Sequence, residues 1–232
     1  MRLLVIGDIH GCSRAFDTLL DAVQPTPDDQ FVTLGDYVDR GPNSLGVLQR
    51  LLALEKSCSL TPLIGNHERM MLDARDDEAA FKAWQQSGGK PTLASYSSSV
   101  LGGTLADVPE EHWAFLERCV KVHETATHFF VHANAYFDVP LEEQPDYMLL
   151  WEKLSVCLPH TSGKIMVCGH TPQRDGKPLN LGHTICLDTW VYSEGWLTCW
   201  DIISDKVWQT NQDGALRIGR MDDYLCDNSR EN

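Results

Sequence analysis

A mixed α/β fold is what this sequence predicts, and three observations carry the prediction. Short apolar runs alternate with helix-period segments between Leu3 and Ile64. Each of those runs stops at a glycine followed by a residue type that binds metals. Beyond His128, short β-rich runs return with turn residues between them. Alternation of this kind builds a parallel sheet covered by helices, and a late run of strands adds pairing of a different sense.

Leu3 to Ile6 is apolar throughout, as in a strand buried on both faces. Gly7-Asp8-Ile9-His10-Gly11 breaks it, and Ser13 is the expected cap of a helix carrying Ala15, Phe16, Leu19, Leu20 and Val23 on one face. Pro25 and Pro27 end that helix. Phe31 to Leu34 reads as the second strand, broken by Gly35-Asp36. Ser44 leads into a helix with Val47, Leu48, Leu51 and Leu54 inward. Leu60 to Ile64 is the third strand, broken by Gly65-Asn66-His67-Glu68. Each strand–helix–strand unit is expected to form a parallel pair through a right-handed crossover.

Residues 70 to about 127 lose the alternation and read as a helical insertion within one domain spanning 1–232. Helices are expected over Glu78–Gln86 and Pro109–Val122, the second with Trp113, Phe115 and Leu116 inward. Strands resume at His128–Val131 and Ile165–Cys168, each followed within two residues by a histidine. Runs from Ile185, over Leu197–Ile203 and over Lys206–Gln209, give the second half an antiparallel look. Asp222 to Asn232 reads as a frayed tail.

Composition narrows the class. With 43% hydrophobic and 22% charged residues the chain reads as an ordinary globular protein. No apolar run is long enough to span a bilayer, and the N-terminal apolar stretch is too short for a signal peptide, so a cytoplasmic location is expected. The eight cysteines form no C-x-x-C pair, which argues against a zinc ribbon or a disulfide framework. A net charge of −14 disfavours nucleic acid and anionic membranes as partners. A phosphorylated substrate stays compatible where bound cations reverse the local field.

Five apolar strands end in metal-ligand residues: Asp8 with His10, Asp36 with Asp39, Asn66 with His67, then His132 and His170. Residues just past the carboxyl ends of parallel strands converge on one rim. Such a set exceeds one metal's needs and suffices for two. Two divalent ions roughly 3.5–4 Å apart acidify a bridging water and clamp phosphoryl oxygens, which is what phosphate monoester hydrolysis requires. Asp36 is the expected bridging ligand, Asp8 and His10 complete one site, and Asn66, His132 and His170 the other. Imidazole and carboxylate without thiolate suit manganese, iron or zinc. Arg40 offers a bidentate fork to phosphate, His67 stands next to a ligand as candidate general acid, and Asp39 is placed to favour its protonated form. Taken singly, these residues have plain structural readings, such as a turn aspartate or a buried hydrogen-bonded histidine. Their joint occurrence at strand ends is what points to a site.

The strings G-D-I-H-G (7–11), G-D-Y-V-D-R-G (35–41), G-N-H-E (65–68), V-H-A (131–133) and G-H-T (169–171) stand in this order. They resemble the signature of the metal-dependent serine/threonine phosphoprotein phosphatases, in the spacing of a compact bacterial or phage-like member, within the calcineurin-like metallophosphoesterases. Gly88-Gly89, Thr92-Leu93 and Ser95-Tyr96 resemble a shorter stretch of the bacterial members. The resemblance spans residue 3 to about 203. It implies a four-layer β-sandwich of mixed sheets flanked by helices, with a dimetal site at the strand-end rim. It also places the metal ligands on Asp8, His10, Asp36, Asn66, His132 and His170, the histidine–aspartate pair on His67 and Asp39, and a phosphate-binding arginine on Arg40.

One departure stands out. Where many members carry a second phosphate-binding arginine, Leu150-Trp151-Glu152-Lys153 offers Lys153. A lysine keeps the charge and loses the fork, so weaker phosphate binding is expected, with Arg174 as a possible substitute. Trp190 and Tyr192, after Asp188-Thr189, are candidate lining residues of the substrate cleft. His112, His123, His128, His160 and His183 belong to no motif and read as packing or surface residues.

The expected activity is therefore metal-dependent hydrolysis of phosphoserine or phosphothreonine in a protein or peptide, with phosphotyrosine also admissible. Hydrolysis of diadenosine tetraphosphate or another small phosphoanhydride is the alternative. Asp39 before Arg40, and Glu68 at the end of the third string, favour the phosphatase. An inactive scaffold is the remaining alternative, and it would be expected to have lost a ligand, the acid or the arginine. None of these is missing.

Overall fold

The protein is described from a computed structural model that covers residues 1–97 and 102–226. Eleven strands form two mixed sheets among these residues. In the first sheet, β1 (Leu3–Ile6), β2 (Gln30–Thr33) and β3 (Ser59–Pro62) are parallel and adjacent. On the other side of β1 follow β9 (Leu197–Asp201), β10 (Lys206–Thr210) and β11 (Leu216–Arg220), all antiparallel to their neighbours. The parallel part is the one the strand–helix alternation predicts.

The second sheet corrects the expectation of an antiparallel second half. Its centre is parallel: β5 (His128–Val131), β6 (Ile165–Cys168) and β8 (Thr184–Cys186) lie side by side. Only its edges, β4 (Val122–Glu124) and β7 (Leu179–Asn180), run antiparallel. The reason is the long excursions between these strands, which return the chain in the same direction. One of them holds α7 (Asp146–Leu150).

Strand alternation decides the layers. Val5, Val32, Phe130, Val167, Ile185 and Trp200 meet between the two sheets. Leu4, Ile6 and Phe31 face the other way, onto α1 (Ser13–Val23) and α2 (Ser44–Ser57). On the far side of the second sheet, Phe129, Val131, Met166 and Cys168 pack with Leu149 and Leu150 of α7. Continuous apolar strands are thus explained by burial on both faces, each such side chain contributing about 1.5–3 kcal/mol. Helix, sheet, sheet and helix make the four layers.

One helix start differs from the sequence reading and a second agrees with it. Cys12, not Ser13, precedes α1, and among the described residues no side chain caps it. The Ser13 hydroxyl instead accepts from Asn43 Nδ2 at 3.0 Å. Asn43 itself caps α2, accepting from Gly46 N at 2.9 Å, which leaves Ser44 free to turn toward Asp39.

The insertion contains α3 (Asn66–Asp73), α4 (Glu78–Trp84), α5 (Lys90–Ser95) and α6 (Glu110–Glu117). α4 stops at Trp84, before the expected Gln86, because a wide turn over Gln85–Gly89 follows, with Gly88 at φ 121°. α6 ends at Glu117, since Val120 is drawn into a bridge with Leu63 at the edge of the first sheet and Val122 opens β4. Residues 222–226 are not frayed: Met221 is buried, and Cys226 N donates to Asn180 O at 2.8 Å. The rest of the expected tail, 227–232, lies outside the described residues.

Candidate active site

The turns after the strands hold the site in an uncommon backbone conformation. His10 (φ 46°), Asp36 (51°), Asp39 (72°), Arg40 (67°) and His170 (61°) all lie in the left-handed region. For residues with a Cβ each such angle costs on the order of 1–3 kcal/mol, so the surroundings must fix it. Hydrogen bonds between the turns do so: Ile9 N and His10 N both donate to Asp36 O, and Gly41 N donates to His10 O at 2.9 Å. Arg40 N reaches across to Gly88 O at 3.0 Å, which ties the insertion to the second strand end. The buried Glu68 carboxylate accepts from Asp36 N and Tyr37 N at 2.7 Å each, from Gly65 N at 2.9 Å and from Val38 N at 3.2 Å. Its role is to hold the loop that carries Asp36. Burial and the charge of Asp36 push the Glu68 carboxyl up to about 8, against the pull of those N–H groups.

Two of the motif glycines are required by close approach. A Cβ on Gly169 would lie 1.9 Å from Asp8 Oδ1, and one on Gly65 would lie 2.2 Å from Asp36 Oδ1.

The six predicted ligands come together. His132 Nδ1 faces Leu34 O at 2.7 Å, so it carries the proton and leaves the Nε2 lone pair inward. His10 does likewise, with Nδ1 on Val38 O at 3.0 Å. His170 is reversed: Nε2 donates to Trp151 O at 3.0 Å and Nδ1 is the free nitrogen. Asn66 Oδ1 then stands 3.1 Å from His132 Nε2 and 3.0 Å from His170 Nδ1. Lone pairs converging this way fit a cation. Asp36 lies between the two histidine groups, with Oδ2 at 3.3 Å from His10 Nε2 and Oδ1 at 3.4 Å from His132 Nε2. Ligand atoms of His10, Asp36 and His67, and separately of Asp36, His132 and His170, lie within 4.8 Å of one another. Asp36 belongs to both groups, the placement a bridging carboxylate needs.

Asp8 is less closely grouped. Its Oδ2 accepts from His170 N at 3.0 Å, and its buried Oδ1 has no hydrogen-bond partner among the described residues. Burial and the neighbouring charges of Asp188 and Asp36 hold the Asp8 carboxyl well above the usual range. Burial likewise pushes Asp188 up to about 7. Clustered buried carboxylates are the environment a divalent cation relieves. Burial lowers the pKa of His10, of His132 and, to about 4, of His170, which keeps their ligand nitrogens unprotonated. Burial would raise Asp36, but its close approach to the rings of His132, His67 and His10 outweighs that, and the net shift is downward. The donor set of carboxylate, amide oxygen and imidazole fits two divalent metals.

His67 has a different environment. Its Nδ1 lies 2.7 Å from Asp39 Oδ2 in a fully buried pair. Burial lowers its pKa, but the charge of Asp36 and the bond to Asp39 overcome that, and the net shift is upward. Asp39 is fixed by groups the sequence did not point to. Trp84 Nε1 donates to Oδ2 at 2.8 Å and Thr92 Oγ1 to Oδ1 at 2.7 Å, while the Asp39 amide donates to Thr92 Oγ1 and Ser44 Oγ. Thr92 fell in a stretch noted for resemblance alone. Trp84 carried no signal beyond being a large side chain in an amphipathic helix.

Arg40 is exposed at the rim, with Nη1 at 3.0 Å from His10 Nε2 and its guanidinium 4.6 Å over the Tyr192 ring. Tyr192 also meets the His10 ring edge-on at 4.9 Å between centroids, so this candidate cleft residue lies at the site. Trp190 is 6.3 Å from Tyr192, and the exposed Arg174 stands 5.4 Å over Trp190, at one remove from Arg40. Lys153 is exposed, in a segment held beside His170 by the Trp151 carbonyl and by Leu154 N on Thr171 Oγ1 at 3.0 Å. Of the histidines outside the motifs, His112 and His160 are buried and bonded to Tyr96 and Ser162, consistent with packing roles.

Known proteins with similar sequences carry two kinds of activity in their names. A stretch of 86 residues is 42% identical to "Serine/threonine-protein phosphatase 1" of Salmonella typhimurium, covering 37% of this chain and 38% of that one. A stretch of 130 residues is 35% identical to the symmetrical bis(5'-nucleosyl)-tetraphosphatase of Paracidovorax citrulli, covering 53% and 44%. The aligned stretches thus span less than half of these relatives' length. In fold, the chain is similar to a solved cold-active protein-tyrosine phosphatase of a Shewanella species, with TM-score 0.63 and 18% identity over 94% of this chain and 80% of that one. The sequence pattern of the calcineurin-like phosphoesterases matches residues 1–206. With that match, the two mixed sheets and the candidate metal ligands gathered at the strand ends, the chain belongs to the calcineurin-like phosphoesterase family, whose members are dimetal-dependent hydrolases.

Proposed function

We propose that the protein removes phosphate from phosphoserine or phosphothreonine in a protein or peptide, with phosphotyrosine as an accepted variant. The observation that supports this reading is the buried His67–Asp39 pair, 2.7 Å apart. A serine or threonine alkoxide is a poor leaving group and needs a proton as the P–O bond breaks. Cleavage of a phosphoanhydride expels a phosphate, which leaves as a stabilised anion and has little need of an acid. An imidazole whose pKa, against the pull of burial, is raised by Asp36 and Asp39, standing beside the proposed metal ligands, therefore suits a monoester.

Asp8, His10, Asp36, Asn66, His132 and His170 would hold two divalent cations, which would supply an acidified water and positive charge against the phosphoryl oxygens. The donor set suits manganese, iron or zinc, and manganese is the metal we propose to add first. Arg40 orients the phosphoryl group through its guanidinium N–H donors, which a cation on His10 Nε2 would release from that nitrogen. With Nδ1 committed to Asp39, His67 Nε2 is the nitrogen left to deliver the proton. Asp39, held by Trp84 and Thr92, keeps the imidazole in that tautomer and supports its charge.

Hydrolysis of diadenosine tetraphosphate is the second reading, supported by the names of the tetraphosphatase relatives. A phosphothreonine peptide, an aryl phosphate and diadenosine tetraphosphate assayed side by side, metal-stripped and with manganese, separate the two. Metal-dependent peptide cleavage is the expected result. Turnover of the dinucleotide alone would move the enzyme to nucleotide hydrolysis.

A further inference from the structure

A cavity of about 350 Å³ opens beside the candidate active site, and none of the sequence motifs accounts for it. Phe129, Met148 and Met166 form its buried floor, and Phe137, Val156 and Leu158 line it nearer the surface. Val156 is 79% exposed, Leu158 49% and Phe137 41%, a concentration of uncovered apolar side chains around one opening. The volume admits a leucine- or phenylalanine-sized side chain with room to spare.

Two connections join this cavity to the metal ligands. Asn134 lines it two residues beyond His132, and its amide donates to Lys153 O at 3.4 Å. Glu152 also lines it and directly follows Trp151, whose carbonyl accepts from His170. A polypeptide with its phosphorylated residue at the metals therefore passes this opening within a few residues, at about 3.3–3.6 Å per extended residue.

The charge around the opening selects the occupant. Glu152 lines the cavity, Asp138 follows Phe137, and Glu142 lines a neighbouring hollow that shares His160. None of the three is in an ion pair among the described residues; Glu152 accepts from Tyr147 Oη at 2.5 Å and is followed by the exposed Lys153, and the whole chain carries −14. Glu152 at the opening, with Asp138 and Glu142 nearby in the chain and an acidic protein overall, disfavours a polyphosphate and attracts lysine or arginine. We infer that this cavity is a docking pocket for the phosphorylated polypeptide substrate, taking a bulky apolar side chain flanked by basic residues near the phosphorylated position. The inference rests on the phosphatase reading and adds a substrate preference to it.

The test uses the manganese-loaded protein and a phosphothreonine peptide series. One bulky apolar residue beside a lysine is moved through each of the five positions on either side of the phosphate, against a glycine–serine background. One or two placements are expected to lower KM about tenfold relative to the background peptide. The double variant Val156→Glu/Leu158→Glu, at exposed positions, is expected to abolish that gain and leave aryl phosphate hydrolysis unchanged. Ser155→Trp, which narrows the opening from a further exposed position, is expected to act in the same direction. Equal KM values across the peptide series would overturn the pocket and leave the phosphatase reading intact, as would a gain that survives in both variants. Cleavage of diadenosine tetraphosphate with no peptide turnover at all would overturn the reading on which the inference rests.

Discussion

The indole N–H of Trp84 ends 2.8 Å from Asp39 Oδ2, across 45 positions of sequence. It meets the same oxygen that faces His67 Nδ1, so a helix of the insertion steadies the candidate acid through its partner. This makes Trp84 a positioning residue. Trp84→Phe keeps most of the buried ring and removes one hydrogen bond. The expected outcome is a fall in kcat on a phosphothreonine peptide of about tenfold, equivalent to ~1.4 kcal/mol, with KM little changed. Aryl phosphate, with its better leaving group, should lose less. Equal losses on both substrates, or a rise in KM alone, would assign Trp84 to packing.

Gly169 and Asp8 give a second prediction. A Cβ at Gly169 would intrude to 1.9 Å on Asp8 Oδ1, so Gly169→Ala must displace a proposed ligand or its strand end. Manganese affinity should fall by about 10–100-fold, in line with disturbances of ligand support. Titration calorimetry on the stripped protein, with circular dichroism to show an unchanged fold, measures it. Full affinity in the variant would remove Asp8 from the ligand set.

Acid stability tests a region far from the chemistry. Arg2 grips Asp29 through Nε at 2.9 Å and Nη2 at 2.5 Å, and Thr26 N adds a bond at 2.7 Å. The Arg2 guanidinium, helped by Thr26, holds the Asp29 carboxyl well below its usual range. A folded pKa below the unfolded one means the stabilisation is present above about pH 4 and is lost as pH falls toward the folded value. Asp29→Asn should therefore lower Tm at pH 7 by a few degrees, about 2–4 °C per kcal/mol lost. The gap between variant and wild type should narrow progressively below about pH 4 and close only as pH approaches the folded value, well below the usual carboxylate range. A gap that stays constant with pH would show that the carboxylate charge is not what matters.

Lys153 is exposed beside the segment that holds His170. If its charge reaches substrate phosphate, Lys153→Arg adds a fork and should tighten competitive inhibition by inorganic phosphate by about threefold. Arg174→Ala, its side chain stacked over Trp190, should leave that constant unchanged. Phosphate inhibition that responds to Arg174 and ignores Lys153 would reverse the assignment.

Most of the site was legible because its residues mark the ends of strands. An apolar strand buried on both faces, a glycine and a ligand type repeat five times, and the fold carries those ends to one rim. The parts that were not legible act through tertiary contact. Trp84 and Thr92 reach Asp39 from helices whose own pattern records packing only. Asp188 enters through its charge on Asp8, which no local pattern announces. The parallel pairing of β6 and β8 was hidden because the connection between them carries no helix to mark a crossover. Ser44 looked like an ordinary helix start, whereas its hydroxyl serves Asp39 and Asn43 does the capping.

The central claim is that His67, paired with Asp39, protonates the leaving oxygen of a phosphate monoester. Its most direct test is kcat for manganese-loaded wild type and His67→Asn, on a phosphothreonine peptide and on an aryl phosphate with a strongly acidic phenol. The account predicts a loss of about a hundredfold or more on the peptide and a much smaller loss on the aryl ester, because a phenolate leaves without the proton. Equal losses on the two substrates would contradict it and make His67 a structural neighbour of the metals.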